Sequence, residues 1–159
     1  MSITVPYVPS PSEVVDKMLE LAKVTPNDIV YDLGCGDGRM LLAAVKKFGA
    51  RKAVGYEIRK DLYEELVKTI QKEGLSNRVF VYNEDLLNAD LSESTVITLF
   101  LTTSANEKLK PKLEAELKPG TRIVSHEFTF KDWTPQKIEE LSWHKIYLYI
   151  IPDCNSSKK

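Results

Sequence analysis

Cysteine is scarce in this chain, because only Cys35 and Cys154 occur among its 159 residues. Cys35 lies in a glycine-rich stretch, and Cys154 lies among polar residues near the end. Neither residue belongs to a Cys/His cluster with metal-ligand spacing, and two such thiols give no disulfide framework. The sequence therefore predicts neither a disulfide-stapled fold nor a zinc site, and no metal is implied.

Long apolar runs are missing as well. The longest, residues 96–101 and 147–151, fall far short of the roughly 18–20 residues that a membrane span needs. Residues 1–6 lack the basic flank and the long apolar stretch of a secretory signal. We therefore expect a cytoplasmic protein that does not interact with membranes.

A surplus of basic charge is also absent, since 22 Lys+Arg face 23 Asp+Glu and leave a formal net charge of -1. Such a chain has no global charge with which to hold nucleic acid by counterion release, and we expect no direct nucleic-acid partner. A length of 159 residues with 43% hydrophobic residues is typical of one globular domain. We expect a single domain over residues 1–159, in which residues 152–159 form a frayed tail.

Two hydrophobic periods alternate along the chain. Apolar residues at three- and four-residue spacing predict helices, and short apolar runs between turn residues predict strands. The predicted helices cover residues 11–24, residues 40–48 and a segment from residue 62 to the C-terminal cap at Gly74; the predicted strands cover residues 29–33, 53–57, 79–82, 95–101 and 122–128. Repeated strand–helix–strand units imply right-handed crossovers and a parallel sheet, so the fold class is α/β. Ligands of such sheets lie at the carboxyl ends of the strands, here strands one, two, four and five.

Local signals predict several further boundaries. Ser10, followed by Pro11 and by Glu13 three positions later, has the pattern of a helix N-cap with a capping box. Pro111 is expected to separate a helix over residues 104–110 from a second short helix. Residues 136–141 and 145–151 are expected to pair as an antiparallel hairpin. A helix over 136–141 is the alternative, because that segment contains good helix formers.

A glycine-rich turn follows the first predicted strand, with glycines at positions 34, 36 and 38. Such a turn lets a ligand approach the backbone and the amino end of the next helix. Arg39 stands where the Gly-x-Gly-x-x-Gly dinucleotide fingerprint requires glycine, which speaks against NAD.

Carboxylates around this turn indicate which ligand it binds. Asp32 and Asp37 flank the glycines and would repel a diphosphate, whereas they would attract a cationic ligand. S-adenosylmethionine carries an ammonium and a sulfonium, and its ribose hydroxyls suit a carboxylate such as Glu57 at the end of strand two. Asp85 follows strand three, where it can accept from the adenine amino group while Leu86 covers the ring face. The alternative for Asp85 is that it only begins a turn.

The exit of strand four carries Phe100, Leu101 and Thr102. It lacks the Asn/Asp-Pro-Pro-aromatic stretch of enzymes that methylate base amino groups, and no cysteine is placed for carbon-5 methylation of pyrimidines. A lysine amine needs only positioning and desolvation, because an apolar pocket disfavours its ammonium form. This exit therefore favours an aliphatic amine acceptor.

Residues 30–39 and Glu57 make the chain resemble the seven-strand S-adenosylmethionine-dependent methyltransferases. Nearly the whole chain is similar to the small archaeal protein-lysine methyltransferases, relatives of the non-SET histone methyltransferase. The matching motifs are Pro6-Tyr7-Val8-Pro9, Leu99-Phe100-Leu101-Thr102, Leu109-Lys110-Pro111-Lys112-Leu113, Leu117-Lys118-Pro119-Gly120-Thr121-Arg122 and Ser125-His126-Glu127-Phe128.

The resemblance implies a monomeric cytoplasmic enzyme of broad specificity that methylates lysine ε-amines of many proteins, chromatin proteins among them. Its Rossmann-like seven-strand sheet would be mostly parallel and end in an antiparallel hairpin. Residues 1–9 would cover the site. The implied cofactor-binding residues are Asp32, Gly34, Gly36, Glu57, Asp85 and Leu86, and the implied methyl-transfer residues are Tyr7, Phe100, Leu101 and Thr102.

Several residues and the function itself have more than one explanation on sequence alone. Tyr7 is equally well explained as an anchor against the core. His126 and Glu127 are more simply structural than substrate contacts, and the residues Trp133, Trp143, Tyr147 and Tyr149 are expected in the core and the sheet. The competing functions are an RNA or small-molecule methyltransferase and a non-catalytic nucleotide-binding module.

Overall fold

The computed structural model of the chain describes residues 7–152. Residues 1–6 and 153–159 lie outside the described residues, and so do Cys154 and nearly all of the expected tail. The elements occur in the order α1 (Ser12–Leu21), β1 (Ile29–Leu33), α2 (Arg39–Lys46), β2 (Lys52–Tyr56), α3 (Lys60–Lys72), β3 (Val79–Tyr82), a 3₁₀ helix (Leu86–Asn88), β4 (Val96–Leu99), α4 (Thr103–Glu116), β5 (Arg122–His126), β6 (Lys137–Leu141) and β7 (His144–Ile150).

Seven strands in the described part of the chain form one sheet in the order β3-β2-β1-β4-β5-β7-β6. Strands β1 to β5 are parallel to their neighbours, whereas β7 is antiparallel to β5 and β6 is antiparallel to β7. The expected α/β class and the expected mixed sheet are confirmed. The strand order reverses between β1 and β4, which is the place where open α/β sheets bind ligands.

Helices cover both faces of the sheet and bury it in two apolar layers. Helices α1, α2 and α3 pack on one face, where Met18, Leu41 and Leu66 are among the buried residues. Helix α4 packs on the other face through Leu109 and Leu113. Because strands β1 and β4 are covered on both sides, their loops at the carboxyl edge are held by a rigid base. No helix within residues 7–152 is long and apolar enough to cross a membrane.

The C-terminal hairpin is confirmed, and the alternative helix over residues 136–141 is wrong. Strand β6 pairs with β7 from Lys137 opposite Leu148 to Leu141 opposite His144. Ser142 adopts a positive φ of 58° in the turn. The register places the tip of this hairpin beside the end of β5, at the carboxyl edge of the sheet.

Two helix predictions are wrong. Helix α1 has Pro11 at its N-cap without a side-chain hydrogen bond, because the Ser10 hydroxyl pairs instead with His126 Nδ1 at 2.8 Å. Helix α4 continues through Pro111 rather than dividing there. Leu109 and Leu113 are fully buried on either side of the proline, and this burial outweighs the roughly 3 kcal/mol that an interior proline costs a helix.

Candidate active site

A cavity of about 230 Å³ opens at the carboxyl edge of the sheet, at the point where the strand order reverses. The residues that follow β1, β2, β3 and β4 surround it, and residues 7–10 close one side. Its lining includes Tyr7, Ser10, Asp32, Gly34, Cys35, Gly36, Asp37, Arg39, Glu57, Arg59, Glu84, Asp85, Leu86, Phe100 and Leu101. The structure thus brings together nine of the ten residues singled out from the sequence. Thr102 is the exception.

The glycine-rich loop is pinned to the end of β2. The backbone N–H groups of Gly34 and Cys35 both donate to the carbonyl of Tyr56, at 2.9 and 3.0 Å. Gly36 has a positive φ of 56°, and a Cβ atom there would lie 2.7 Å from Cε1 of Tyr7. A side chain at position 36 would therefore strain the turn and also displace the tyrosine ring.

Asp32 is a buried carboxylate at the end of β1. It is only 8% exposed, and the Thr98 hydroxyl on the adjacent strand donates to its Oδ1 at 2.8 Å. Burial raises the pKa of Asp32 from 3.8 to about 7, and the nearby carboxylates of Glu57 and Asp37 add to the rise although the Thr98 hydrogen bond opposes it. An acid held this way is stabilised in its charged form by a bound cation.

Glu57 is the second buried carboxylate, at 7% exposure. Its Oε1 accepts from the N–H of Gly36 and its Oε2 from the N–H of Arg59, both at 2.8 Å. These bonds fix the carboxylate between the glycine loop and the start of α3. Each oxygen retains a further lone pair, so the group can also accept hydrogen bonds from a ligand's hydroxyls.

Asp85 and Leu86 follow β3 and also line the cavity. The Asp85 carboxylate accepts from the N–H of Leu87 at 2.9 Å and caps the 3₁₀ helix. Asp85 therefore begins a turn, as the alternative explanation has it, and it also lies in the cavity wall. Leu86 is 7% exposed and supplies an apolar surface beside it.

Tyr7 lies over the glycine loop. Its ring rests against Gly36, and the guanidinium of Arg59 sits over the ring at 5.7 Å from the centroid. Partial burial raises the pKa of Tyr7, and the neighbouring Asp37 carboxylate raises it further. The ring is 39% exposed, so it forms part of the cavity wall while one side faces solvent. The role of Tyr7 in methyl transfer stays a prediction.

Of the three residues that follow β4, two line the cavity and one caps the next helix. Phe100 and Leu101 line the cavity, and Leu101 is buried with its Cδ2 near Gly34. Thr102 is the N-cap of α4, where its hydroxyl accepts from the N–H of Ala105 at 3.1 Å. The geometry therefore gives Thr102 a capping interaction, and it does not contribute to the cavity wall.

The end of β5 contacts a residue of the cavity wall but does not itself line the cavity. His126 is fully buried, and its ring lies 4.1 Å, centroid to centroid, from the ring of Phe100. Its Nδ1 pairs with Ser10 at 2.8 Å and its Nε2 with His144 Nδ1 at 3.0 Å. Burial lowers the pKa of His126 to about 4, so it is neutral near pH 7. Neither His126 nor Glu127 lines the cavity.

The polar atoms of His126, Glu127 and His144 lie within 4.8 Å of one another. The two imidazoles are hydrogen-bonded to each other, and Glu127 Oε1 accepts from the N–H of Lys145 at 2.9 Å. Hydrogen bonds between the imidazoles and from the backbone of Lys145 to Glu127 therefore hold these three side chains in place. Sequence reasoning missed its link to Ser10 because the partners are 116 positions apart.

The cavity suits a cationic ligand that contains a nucleoside. Of the described side chains that line it, five are carboxylates (Asp32, Asp37, Glu57, Glu84 and Asp85) and two are guanidinium groups (Arg39 and Arg59). The two guanidinium groups are paired, Arg39 with Asp37 and Arg59 with Asp61. Within residues 7–152, the buried carboxylates of Asp32 and Glu57 form no ion pair with a basic side chain, which fits the ammonium and sulfonium of S-adenosylmethionine.

A doubly covered sheet with this strand order, a glycine loop after β1 and an acid after β2 define a class I S-adenosylmethionine-dependent methyltransferase. Comparison with known families agrees, since the model of the ANTKMT methyltransferase domain matches residues 32–137. The chain belongs to that family, and its cofactor is S-adenosylmethionine.

Known relatives extend the match over nearly the whole chain. A protein-lysine N-methyltransferase of Saccharolobus islandicus is 52% identical over 92% of this chain and 94% of its own length. The mouse adenine nucleotide translocase lysine N-methyltransferase is 33% identical over 94% of this chain and 64% of its own length. A crystal structure of an RNA methyltransferase from Salinibacter ruber with S-adenosyl-L-homocysteine is 44% identical, has a TM-score of 0.89 and matches 92% of this chain and 95% of that one.

Proposed function

We propose that the protein transfers methyl groups to the ε-amines of lysine residues in other proteins. The observation that carries the proposal is the apolar exit of β4, where Phe100 and Leu101 line the cavity beside the carboxylates of Asp32 and Glu57. The names of the S. islandicus and mouse relatives support it. The proposal includes broad specificity with chromatin proteins among the substrates, and a monomer that works in the cytoplasm.

Methylation requires a neutral amine held in line with the methyl group. S-adenosylmethionine, when bound, supplies an activated methyl group on a sulfonium. An unperturbed lysine, with a pKa near 10.4, is only about 0.04% neutral at pH 7. The ring of Phe100 and the side chain of Leu101 offer no charge to an ammonium, so desolvation against them favours the neutral amine. Tyr7 covers the cavity and limits access of water.

RNA is the second candidate substrate, because the S. ruber protein is described as an RNA methyltransferase. The strand-four exit argues against a base amine, since neither Phe100 nor Leu101 offers a side-chain acceptor for a flat amino group. The chain also has no surplus of positive charge, with 22 basic and 23 acidic residues. Methylation of a small molecule and non-catalytic nucleotide binding are the two remaining candidate functions, and neither has a structural feature that favours it over lysine methylation.

One labelling experiment tests the proposal. The protein is incubated with methyl-labelled S-adenosylmethionine and separate pools of mixed proteins, chromatin proteins, RNA and metabolites. We expect label on lysines of many proteins in both protein pools, identified by mass spectrometry, and none on RNA. Asp32→Asn, which is expected to bind the cofactor more weakly, serves as a control that should give less label at limiting cofactor. Label on RNA or metabolites but not on protein would refute the proposal, and no label in any pool would favour the binding module.

A further inference from the structure

A row of aromatic rings leads from the cavity to the tip of the β6–β7 hairpin. Phe100 in the cavity wall contacts Phe128 at 6.3 Å and His126 at 4.1 Å between ring centroids. His126 contacts His144 at 5.0 Å, and His144 contacts Trp143 at 6.1 Å. These five rings, called here the aromatic row, run from the cavity wall to the outer end of the hairpin; His126 is fully buried within the row, whereas His144 and Trp143 reach the surface.

Trp143 is the outer member of the aromatic row, and it is almost entirely in solvent. It is 84% exposed, the largest value for any large hydrophobic side chain within residues 7–152. The expectation that Trp143 lies in the core or the sheet is therefore wrong. The two-residue turn leaves no described element against which its ring can pack. Tryptophan is enriched among the residues that contribute most of the binding energy at protein interfaces, which makes an exposed Trp143 a candidate contact for a partner.

The position of the aromatic row connects it to the site rather than to a remote face. His126 pairs with Ile146 across β5 and β7, so the first residues of β7 lie beside the carboxyl end of β5. The two other exposed hydrophobic residues of the hairpin, Ile138 and Ile150, lie toward the end opposite its tip. The hairpin tip with His144 and Trp143 therefore lies at the same edge of the sheet as the cavity.

Charge beside the aromatic row suits a basic partner. The Glu127 carboxylate is 35% exposed and lies 4.0 Å from both imidazoles. The face of Trp143 attracts cations, because an aromatic ring carries negative charge on its faces. The cation closest in sequence, Lys145, lies opposite Glu140 in the hairpin register. The row thus combines aromatic faces with a carboxylate, which is the combination that recognises lysine and arginine side chains.

We propose that the exposed end of the aromatic row, formed by His144 and Trp143 with the carboxylate of Glu127 beside them, is the docking surface for the basic, extended segment that carries the target lysine. The inference rests on the proposed lysine-methyltransferase function. The target lysine enters beside Phe100, and the residues that flank it lie along His144 and reach Trp143. The ring-to-ring steps from Phe100 to Trp143 span at most about 15 Å, so Trp143 contacts residues up to about four or five positions from the lysine.

The test compares long and short substrates. The long probe is a peptide of about twenty residues with one central lysine and flanking arginines, and the short probe is acetyl-Gly-Lys-Gly-amide. Trp143→Ala should raise KM for the long peptide about tenfold and leave kcat unchanged. The same variant should not change kcat/KM for the short probe or the affinity for S-adenosylhomocysteine. Trp143→Phe should restore most of the loss, and Ile138→Ala is the matched control on the same hairpin.

Each contrary outcome contradicts the proposal in a recognisable way. Equal kinetics of Trp143→Ala and the parent on the long peptide would refute docking while leaving lysine methylation intact. A loss of the same size on both probes would mean that the substitution disturbs the pocket itself. If Trp143→Ala only converts a dimer to a monomer in sedimentation, or only weakens RNA binding, the occupant is a second copy or RNA. Absence of lysine labelling by the parent would refute both proposals.

Discussion

The buried carboxylate of Asp32 lowers the stability of the ligand-free protein at neutral pH, but it favours the binding of a cationic ligand. Its pKa is raised by burial to about 7 in the folded chain, against 3.8 for an exposed aspartate. Protonated Asp32 therefore favours the folded state: this contribution is complete below pH 3.8 and is lost as the pH rises through 7. The difference between these two pKa values corresponds to about 4 kcal/mol in the free energy of unfolding of the ligand-free protein.

Asp32→Asn removes the buried charge and keeps an oxygen for the Thr98 hydroxyl. The amide N–H groups gain no evident acceptor, which offsets part of the benefit. We expect the ligand-free variant to be more stable than the parent by about 1–3 kcal/mol at pH 8, and this advantage should disappear as the pH falls toward about 4. Binding of S-adenosylmethionine should weaken by about 10- to 100-fold at pH 8, because its ammonium loses a charged partner.

Urea unfolding of the ligand-free proteins and titration calorimetry with S-adenosylhomocysteine measure the two effects. Below pH 7 the parent's affinity should itself fall about tenfold per pH unit, and the variant's should not. Asp16→Asn on α1 removes one surface carboxylate of the Lys47–Asp16 pair and is the matched control. If Asp32→Asn destabilises the protein at pH 8, or if the parent binds equally well at pH 5 and pH 8, the reasoning is wrong.

Three further predictions concern other parts of the site. Glu57→Ala should weaken adenosine-containing ligands by about 1.5–3 kcal/mol per lost charge-assisted hydrogen bond, measured by calorimetry with circular dichroism to confirm the fold; unchanged affinity would contradict the ribose assignment. Thr102→Ala should lower the free energy of unfolding by about 1 kcal/mol through loss of its bond to Ala105, with turnover preserved; a large loss of turnover in the folded variant would place Thr102 in the pocket after all. Single-turnover methylation should rise about tenfold per pH unit from neutrality, and Phe100→Ser should shift this limb to higher pH; a flat profile with chemistry rate-limiting would reveal a titrating enzyme base.

Local sequence signals predicted the parts of the site that depend on short-range geometry. The strand, glycine turn and helix around Gly34 and Gly36 are contiguous, and the parallel pairing of β1 with β2 brings Glu57 to the N–H of Gly36. The strand order of a parallel sheet then places both beside Asp85. The placement of these residues follows from the alternation of strands and helices along the chain, and their role follows from the chemistry of carboxylates.

Tertiary contacts decided the rest, and the sequence carried no readable sign of them. Ser10 has the pattern of an N-cap, yet a buried imidazole 116 positions away takes its hydroxyl. Pro111 has the pattern of a helix boundary, yet two buried leucines hold the helix together. Trp143 is of a residue type that is usually buried, yet its place in the tight turn at the hairpin tip exposes it to solvent.

Cys35 is a buried thiol between two glycines of the cofactor loop, and its rate of chemical labelling can report on the motion of that loop. Burial raises the pKa of its thiol, so the reactive thiolate is scarce while the loop is closed. Its Sγ would lie only 2.6 Å from a Cβ atom at Gly55, which shows how tightly the loop packs on β2. After Cys154→Ser replacement, the rate at which an alkylating reagent labels Cys35 would report how often this loop opens, and a bound ligand would slow that rate. Loop opening can thus be timed without a substrate and without any introduced probe.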